Sequence, residues 1–261
     1  MALVNFLDML ADAAAAAILP HFRNHGTVNN KYVKGFDPVT EADRAGERAM
    51  RALIEQHYPH HGILGEEFGA KSPDADDVWV LDPIDGTRSF ICGVPVWGTL
   101  IGLRHKGVAT LGMMAQPFTG ERFIGDGTRA WYQRSGDGPL AHHDLKTRAC
   151  ASLSEATLFT TSPALFTPAG KSRYRAVEKN VRLARYGIDC YAYCMLASGH
   201  ADLVIESGLN AYDIAALIPI IEGAGGRVTT WTGENAADGG SILASGDPRL
   251  HDQVLDILSR P

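Results

Sequence analysis

The sequence is poor in cysteine. Four of its 261 residues are cysteines (Cys92, Cys150, Cys190 and Cys194), and no two of them form a Cys-x-x-Cys pair. Disulfide frameworks belong mainly to secreted proteins, whereas scattered cysteines without such a framework are typical of reducing compartments. We therefore expect reduced, mostly buried thiols and a cytoplasmic location.

Long apolar runs and excess positive charge are also missing. No run of 18 or more apolar residues occurs, which predicts that nothing in the chain spans a membrane. The formal net charge of −6 argues against a nucleic-acid partner or an anionic membrane held by bulk charge. An anionic small-molecule substrate is still allowed, because bound metal ions invert the sign of a local site. Neither Gly-x-Ser-x-Gly nor Gly-x-x-x-x-Gly-Lys-Ser/Thr is present, so the sequence offers no strong nucleophile motif.

Apolar periodicity divides the chain into two differently built halves. The first half is predicted to contain a helix ending near Leu19, a helix over 41–57, a strand over 78–81, a hairpin over 96–114 and further strand over 121–132. In the second half, strands over 156–161, 201–205, 226–230 and 241–244 alternate with helices over 169–180, 189–198, 211–222 and 248–258. No linker is long enough to separate independent domains. We predict an N-terminal α+β half over 1–146 and a C-terminal α/β half over 147–261.

The two N-terminal helices have apolar stripes at helical spacing. In the second helix, Ala45, Ala49 and Leu53 share the face predicted to be buried, and Thr40 is the expected N-cap. In the first helix, the stripe consists of Val4, Leu7, Leu10, Ala14 and Ile18.

The most informative segment follows the predicted strand over 78–81. It reads Asp82-Pro-Ile-Asp85-Gly-Thr87, so two aspartates lie three residues apart with a proline between them and a glycine after. Proline restricts its own φ and glycine permits unusual φ, so a rigid turn can point both carboxylates and a backbone carbonyl at one spot. Mg²⁺ prefers such hard oxygen ligands in a near-octahedral array. The alternative is a strand ending in an Asx-type turn, but the full string favours a metal site.

Three other acidic motifs are candidates for the same site. Gly65-Glu66-Glu67 is predicted to supply one direct ligand, with the other glutamate supporting it. Asp213, in Asn210-Ala-Tyr-Asp213, lies in the first turn of an apolar helix and is either a ligand or a complement to the helix dipole. Asp37-Pro-Val-Thr40-Glu41-Ala-Asp43 opens the second helix, where Thr40 and Asp43 equally suit a variant of the capping box.

Gly65-Glu66-Glu67, Asp82-Pro-Ile-Asp85-Gly-Thr87 and Tyr212-Asp213-Ile-Ala-Ala, in this order, resemble the motifs of the inositol monophosphatase family. The resemblance extends over nearly the whole chain, from Asp37 to Gly226. Members of this family are Mg²⁺-dependent, lithium-sensitive phosphomonoesterases. The resemblance implies a layered αβαβα sandwich of mixed α+β and α/β character, two or three Mg²⁺ ions per active site, a small phosphomonoester substrate and a homodimer.

The resemblance also implies roles for individual residues. Thr87, Asp43 and Glu66 would orient the attacking water, with Glu67 completing the catalytic set. The backbone N–H groups of Gly86 and Thr87, at a helix start, would bind the phosphate. The implied reaction is in-line attack by a metal-activated water, without a covalent phosphoenzyme. The implied metal ligands are Glu66, Asp82, Asp85, Asp213 and the carbonyl oxygen of Ile84.

Within the family, the histidinol-phosphate phosphatase branch is the most similar. The similarity lies in the strings from Phe90 to Ile101, from Asp189 to Tyr193 and from Glu206 to Pro219. Histidinol carries an amine and an imidazole that can bear positive charge, and Asp189 and Glu206 would give them carboxylate partners. Asp189 is also a candidate helix N-cap. The implied substrate-binding residues are Asp85, Gly86, Thr87, Gly187, Asp189, Glu206 and Asp213.

One position departs from the branch. The branch usually has Gly-Gly-Asp where this chain has Gly187-Ile188-Asp189, and we expect the β-branched Ile188 to add bulk near the substrate. L-Histidinol phosphate is still the predicted substrate. An inositol 1-phosphate or broad-specificity phosphatase would share every metal ligand, and a non-catalytic regulator on the same fold would tolerate their loss. A glycosidase fits less well, because clustered acids beside Gly-Thr suit metal ions better than an acid/base pair.

Overall fold

The computed structural model describes residues 3–24, 28–30, 38–134 and 142–260. Asp37, the first residue of the predicted helix-opening motif, lies outside these residues. The first half contains α1 (Leu3–Ile18), β1 (Val28–Asn30), β2 (Pro38–Thr40), α2 (Glu41–His57), β3 (Gly62–Gly65), β4 (Gly69–Lys71), β5 (Asp77–Asp85), α3 (Thr87–Ile91), β6 (Gly98–His105), β7 (Val108–Gln116), β8 (Glu121–Gly125), β9 (Ala130–Arg134) and β10 (His143–Asp144).

The second half alternates strands and helices, as predicted. It also contains a strand that the sequence pattern did not predict, over 183–186. Its elements are β11 (Thr157–Thr160), α4 (Pro168–Glu178), β12 (Leu183–Tyr186), α5 (Tyr191–Ala197), β13 (Leu203–Asn210), α6 (Ala211–Ile214), α7 (Leu217–Gly223), β14 (Arg227–Thr230), β15 (Gly239–Ser245) and α8 (Pro248–Leu258).

Two large sheets organise the described residues. The first has the strand order β10-β9-β8-β7-β6-β5-β3-β4, and its neighbours are antiparallel except for the parallel pair of β3 and β5. The second has the order β12-β11-β13-β15-β14, in which β11 runs parallel to both of its neighbours and the other pairs are antiparallel. The strand β5, which carries Asp82 and Asp85, lies inside the first sheet, so the aspartates start from a rigid support.

The elements stack in five layers. Helices α1 and α2 pack on each other and against β6 and β5 of the first sheet. Helix α7 packs against β7 and β8 of the first sheet and β14 of the second, and α5 and α6 contact β13. Helices α4 and α8 pack on each other, and α8 contacts β15. This αβαβα sandwich confirms the predicted fold class. The division at residues 146 and 147 stays a prediction, since the layer of α5–α7 joins both sheets in one hydrophobic core.

The two faces of the second sheet follow from strand periodicity, because successive side chains point to opposite faces. On β13, Leu203 and Ile205 pack in the hydrophobic cluster that includes α4 and α8. Val204, between them, packs in the cluster that includes α5 and α7. Both faces of this sheet are therefore covered by helices.

Helix α2 buries a different face from the one predicted. Ala42, Gly46, Met50 and Ile54 are buried together with two acidic residues, whereas Ala45, Ala49 and Leu53 are only half-buried. The acidic residues are Asp43 and Glu47. The prediction was wrong because it counted apolar residues alone, and here the buried stripe carries carboxylates that bond to neighbouring segments.

The N-terminal helix is long and apolar for a helix of this fold. By length and composition alone, Leu3–His21 could cross a membrane, with a mean hydropathy of 1.5, although Asp8 and Asp12 interrupt its apolar run. A core helix passes the same test, so the expectation that nothing spans a membrane stays a prediction. In the structure, Phe6, Leu7, Leu10 and other residues of one α1 face lie fully buried in the hydrophobic core. This packing is that of an amphipathic core helix.

The predicted single helix over 211–222 is two short helices, α6 and α7. Pro219 has no backbone N–H and cannot donate to the carbonyl oxygen of Ala215, four residues earlier, so one helical bond is missing at the junction. Asp213 consequently lies in a separate single turn, close to β5 of the first sheet. The four cysteines are free thiols, and three of them are buried, as expected.

Candidate active site

The segment from Asp82 to Thr87 forms the end of β5 and the start of α3. The pairing register with β6 shifts between Asp82 and Asp85, so the chain bulges where the two aspartates lie. Ile84 N–H donates to Asp82 Oδ1 at 3.0 Å. Gly86 then adopts a left-handed φ of 86°, which favours glycine. The segment is therefore a bulged turn with an Asx-type bond at Asp82, the alternative that the sequence left open, and this bond does not prevent the two aspartates from lying together.

Three aspartates converge beside this turn. One carboxylate oxygen from each of Asp82, Asp85 and Asp213 lies within 4.8 Å of the others. Asp213 Oδ2 also accepts a hydrogen bond from the backbone N–H of Asn210 at 2.6 Å, as part of a capping box. Asp213 therefore lies in the first turn of α6, where its charge suits the helix dipole, and also beside the two other aspartates.

The carboxylates repel one another. Burial raises the pKa of Asp82 well above its ordinary value, and the nearby charges of Glu66 and Asp85 raise it further. Burial and the charges of Asp189 and Asp213 act in the same way on the pKa of Asp85. A bound cation would relieve this repulsion, and a donor set made of oxygen atoms alone fits Mg²⁺.

Glu66 and Glu67 occupy different surroundings, although they are adjacent. Glu66 lines the cavity that contains the three aspartates, and its charge acts on Asp82. Glu67 is not among the described residues that line this cavity, and its charge acts on Asp43. Of the two glutamates, Glu66 is the one that lines the cavity, although the charges of both act on Asp43. Their division into a direct ligand and a supporting residue stays a prediction.

Asp43 and Thr87 come together from α2 and α3. Thr87 Oγ1 lies 3.5 Å from Asp43 Oδ1 and 3.1 Å from the Ile84 carbonyl oxygen. Thr40 N–H donates to Asp43 Oδ2 at 2.7 Å, completing a capping box, so the capping interpretation of Asp43 is confirmed. Burial raises the pKa of Asp43 to about 6, which makes this carboxylate a better proton acceptor than an exposed aspartate.

A cavity of about 220 Å³ opens above these groups. It brings together predicted residues from both halves of the chain with three that were not predicted, Arg88, Thr161 and Leu165. The lining residues are Glu66, Asp82, Ile84, Asp85, Gly86, Thr87, Arg88, Thr161, Leu165, Asp189 and Asp213.

Asp189 lies in this cavity, with its side chain against Gly86 in the turn after β5. Ser89 Oγ donates to Asp189 Oδ2 at 2.7 Å, and the backbone N–H of the next residue, Cys190, donates to Asp85 Oδ2 at 2.7 Å. Helix α5 has Cys190 as its N-cap, without a side-chain cap bond. The prediction that Asp189 caps this helix was therefore wrong, because its carboxylate is turned towards Ser89. Burial raises the pKa of Asp189, while Ser89 and the charge of Arg88 lower it.

Two predicted substrate-binding residues, Glu206 and Gly187, are not among the described residues lining the cavity, and neither is the neighbouring Ile188. Glu206 is buried, and its carboxylate accepts hydrogen bonds from Thr160 Oγ1 and from both N–H and Oγ1 of Thr161. Burial raises the pKa of Glu206 to about 7. Gly187 donates its N–H to the Thr161 carbonyl oxygen at 3.0 Å. Ile188 is half-buried and packs against the central hydrophobic core, and the effect of its bulk on the substrate stays a prediction.

Sequence reasoning missed Glu47 and Ser89. Glu47 Oε2 accepts from the N–H of Glu67 at 2.7 Å, and a Cβ on Gly65 would lie only 1.9 Å from Glu47 Oε1. The signal available in the sequence was the four-residue spacing of Asp43 and Glu47, which puts both on one helix face. Ser89 had no comparable signal, since its partner Asp189 lies 100 residues away.

Comparison with known proteins gives consistent matches over the whole chain. The family model described as "Inositol monophosphatase family" matches residues 3–260. A bifunctional phosphatase from Arabidopsis thaliana, IMPL2, named as chloroplastic, is 46% identical over 96% of this chain and 73% of its own length. A histidinol-phosphatase from Mycobacterium tuberculosis is 36% identical over 85% of each chain. The structure of an inositol monophosphatase from Zymomonas mobilis superposes with a TM-score of 0.84 at 41% identity, covering 98% of this chain and 97% of the other.

Proposed function

Because the chain belongs to the inositol monophosphatase family, a family of Mg²⁺-dependent phosphatases, we propose that it hydrolyses L-histidinol phosphate to L-histidinol and phosphate. The observation that carries the proposal is the cavity in which Asp189 lies beside the cluster of Asp82, Asp85 and Asp213. In this cavity the substrate's phosphate would bind at the aspartate cluster, and the positively charged histidinol part would bind at the Asp189 carboxylate.

The proposed ligands of two or three Mg²⁺ ions are Glu66, Asp82, Asp85, Asp213 and the carbonyl oxygen of Ile84. When bound, Mg²⁺ neutralises phosphoryl charge and activates a water molecule for in-line attack. The convergence of the three aspartates supports this set, and so do the raised pKa values of Asp82 and Asp85. The N–H groups of Gly86 and Thr87 border the same cavity and are the proposed phosphate donors.

Asp43, Thr87 and Glu66 are the proposed groups that orient the attacking water. When the Thr87 hydroxyl donates a hydrogen bond to Asp43, its oxygen lone pairs are left to accept a hydrogen bond from a water in the cavity. The Asp43 carboxylate stays in place because Thr40 holds its other oxygen. Glu67 supports the pair electrostatically, since its negative charge makes Asp43 more basic.

Substrate selectivity is proposed to come from Asp189 directly and from Glu206 indirectly. Asp189 faces the cavity and can pair with a protonated amine, whereas Glu206 orients Thr161, which lines the cavity. Gly187, with a left-handed φ of 74°, shapes the turn that leads to Asp189. Asp85 and Asp213 would serve phosphate binding only through the metal ions they hold.

The test is phosphate release from a panel of phosphomonoesters in Mg²⁺, ranked by kcat/KM. L-Histidinol phosphate should rank first, above inositol 1-phosphate and simple alkyl phosphates. A higher kcat/KM for inositol 1-phosphate would overturn the substrate assignment and leave the phosphatase assignment intact. Inositol 1-phosphate is the second candidate, because the Zymomonas mobilis protein, at 41% identity, is named an inositol monophosphatase. A non-catalytic regulator predicts no turnover of any ester.

The proposal also includes a homodimer and a cytoplasmic location. The homodimer rests on the family alone, and its test is the mass of the purified protein measured by light scattering. The location rests on the free thiols. No membrane or nucleic-acid partner is part of the proposal, because the net charge of −6 disfavours anionic surfaces.

A further inference from the structure

The turn before α5 is attached to the metal-binding segment by two hydrogen bonds. Ser89 Oγ donates to Asp189 Oδ2, and the N–H of Cys190 donates to Asp85 Oδ2, both at 2.7 Å. The partners are 100 and 105 residues apart in sequence, so only the fold brings them together. The position of Asp189 relative to the metal cluster is therefore defined by two adjacent contacts.

The backbone of Asp189 is in an unfavourable region. Its φ is 43°, in the left-handed range that non-glycine residues adopt infrequently. The side chain lies close to Gly86, where a Cβ would come within 2.9 Å of Asp189 Oδ2. Such a conformation persists only when surrounding contacts stabilise it, and the Ser89 hydroxyl supplies one such contact to the Asp189 carboxylate.

A serine hydroxyl is a suitable donor at this position. It occupies Oδ2, and Asp189 itself lines the cavity, where its carboxylate can meet a ligand. Because the hydroxyl is neutral, it fixes the carboxylate rotamer without cancelling the negative charge. A lysine or arginine in its place would fix the rotamer and neutralise the charge.

We propose that Ser89 is a positioning residue that orients Asp189 and thereby sets the preference for substrates whose alcohol carries a protonated amine. This inference rests on the proposed function, since it concerns the same cavity. Ser89 acts through Asp189 and does not contact the phosphate. Its effect should therefore appear in the binding of the cationic substrate, and the chemical step should be affected much less.

The experiment compares kcat and KM of Ser89→Ala and wild type for L-histidinol phosphate and for inositol 1-phosphate. The ratio of the two kcat/KM values should shift against L-histidinol phosphate by roughly five- to ten-fold, the range expected for loss of one hydrogen bond to a charged group. The change should lie mainly in KM. Ser154→Ala is the matched control, because Ser154 is an exposed serine that bonds to Ser152 in a separate short helix.

Two further variants test whether Ser89 orients Asp189 or only stabilises the fold. Ser89→Thr keeps the hydroxyl and should restore most of the selectivity. In a double-mutant cycle, Ser89→Ala should have little additional effect once Asp189→Asn is present, because the partner charge is already gone. Equal losses for both substrates, or additive effects in the cycle, would show that Ser89 is only structural.

The failure of the inference is distinguishable from the failure of the proposed function. If wild type prefers L-histidinol phosphate, Asp189→Asn removes the preference and Ser89→Ala keeps it, the inference is wrong and the function stands. If wild type has no preference for L-histidinol phosphate, the proposed substrate is wrong and the inference is overturned with it.

Discussion

The buried carboxylate of Glu47 accepts a hydrogen bond from the backbone N–H of Glu67, with 2.7 Å between Oε2 and the nitrogen. Glu47 Oε1 also accepts from Arg51 Nε at 2.7 Å and from the Phe68 N–H at 3.2 Å. The side chain thus holds the turn after β3, which carries Glu66 to the cavity with the three aspartates. The ion pair of Glu47 with Arg51 therefore helps to position the neighbouring turn, as groups behind a metal site orient the ligands in front of them.

Glu47→Gln should weaken metal binding without removing it. An amide nitrogen would replace one acceptor oxygen, leave an N–H of the turn unpaired and loosen Glu66. We expect the Mg²⁺ concentration for half-maximal activity to rise roughly ten-fold, as for other groups that orient metal ligands. The measurement is a Mg²⁺ titration of activity. Glu41→Gln is the control, since Glu41 lies on the same helix in an exposed pair with Arg48; equal shifts in both variants would contradict the prediction.

Asn substitutions in the cluster should separate activity from stability. Asp82→Asn, Asp85→Asn and Asp213→Asn should each nearly abolish turnover, because the amide keeps the shape of the ligand and loses its charge. In EDTA the Tm of these variants should equal or exceed that of wild type. Each kcal/mol of carboxylate repulsion that is relieved should raise the Tm by about 2–4 °C. Activity assays and thermal unfolding in EDTA test this. Wild-type activity with Mg²⁺ in two of the variants would refute the metal-ligand assignment.

Chelation should inactivate the protein reversibly. Activity should disappear in EDTA and return with Mg²⁺, and Mg²⁺ should raise the Tm because it binds only the folded state. The Asp213→Asn variant should show a much smaller Mg²⁺-dependent rise in Tm. Inhibition by lithium in the millimolar range is expected from the family resemblance alone. Full activity after EDTA treatment and thorough dialysis would exclude a metal-dependent mechanism.

Asp189→Asn should change selectivity more than activity. Loss of a charge-assisted contact should lower kcat/KM for L-histidinol phosphate roughly ten-fold or more, and for inositol 1-phosphate much less. Ile188→Gly is the neighbouring control. Because Ile188 packs against the core, its removal should lower stability and leave the selectivity ratio unchanged. If Asp189→Asn lowers both kcat/KM values equally, Asp189 does not recognise the substrate.

The buried His251 should make stability depend on pH. Ser245 and Thr229 hydroxyls bond to its two ring nitrogens at 2.8 and 2.9 Å, and burial lowers the pKa of His251 to about 4. The unfolded chain, with a histidine pKa of about 6.5, therefore binds more protons as the pH falls from 6.5 towards 4. The free energy of unfolding should drop by about 2 kcal/mol between pH 7 and pH 4.5 from this group.

Urea unfolding at both pH values, in wild type and in His251→Gln, isolates that contribution. The variant should be less stable at pH 7 and should lose less free energy of unfolding on acidification. An identical pH-dependent loss in both proteins would assign the acid sensitivity to the carboxylates instead.

The local part of the site was predictable from the sequence, because it is built from short contiguous strings. An apolar strand followed by Asp82, Pro83, Asp85 and Gly86 restricts the backbone so strongly that the turn forms in nearly any context. The capping boxes of Thr40 with Asp43 and of Asn210 with Asp213 are equally local. The layered fold was predicted from the family motifs together with the change in alternation near residue 147.

Only the tertiary structure decided which carboxylates face the cavity. Glu66 and Glu67 are adjacent in sequence, yet Glu66 is the one of the two that lines the cavity among the described residues. Glu206 was expected beside the substrate, but Thr160 and Thr161 take up its oxygens. The bond of Ser89 to Asp189 joins residues 100 positions apart. Local propensity cannot determine such contacts, because they depend on how two sheets and the helices between them pack, and that packing is set by the whole chain.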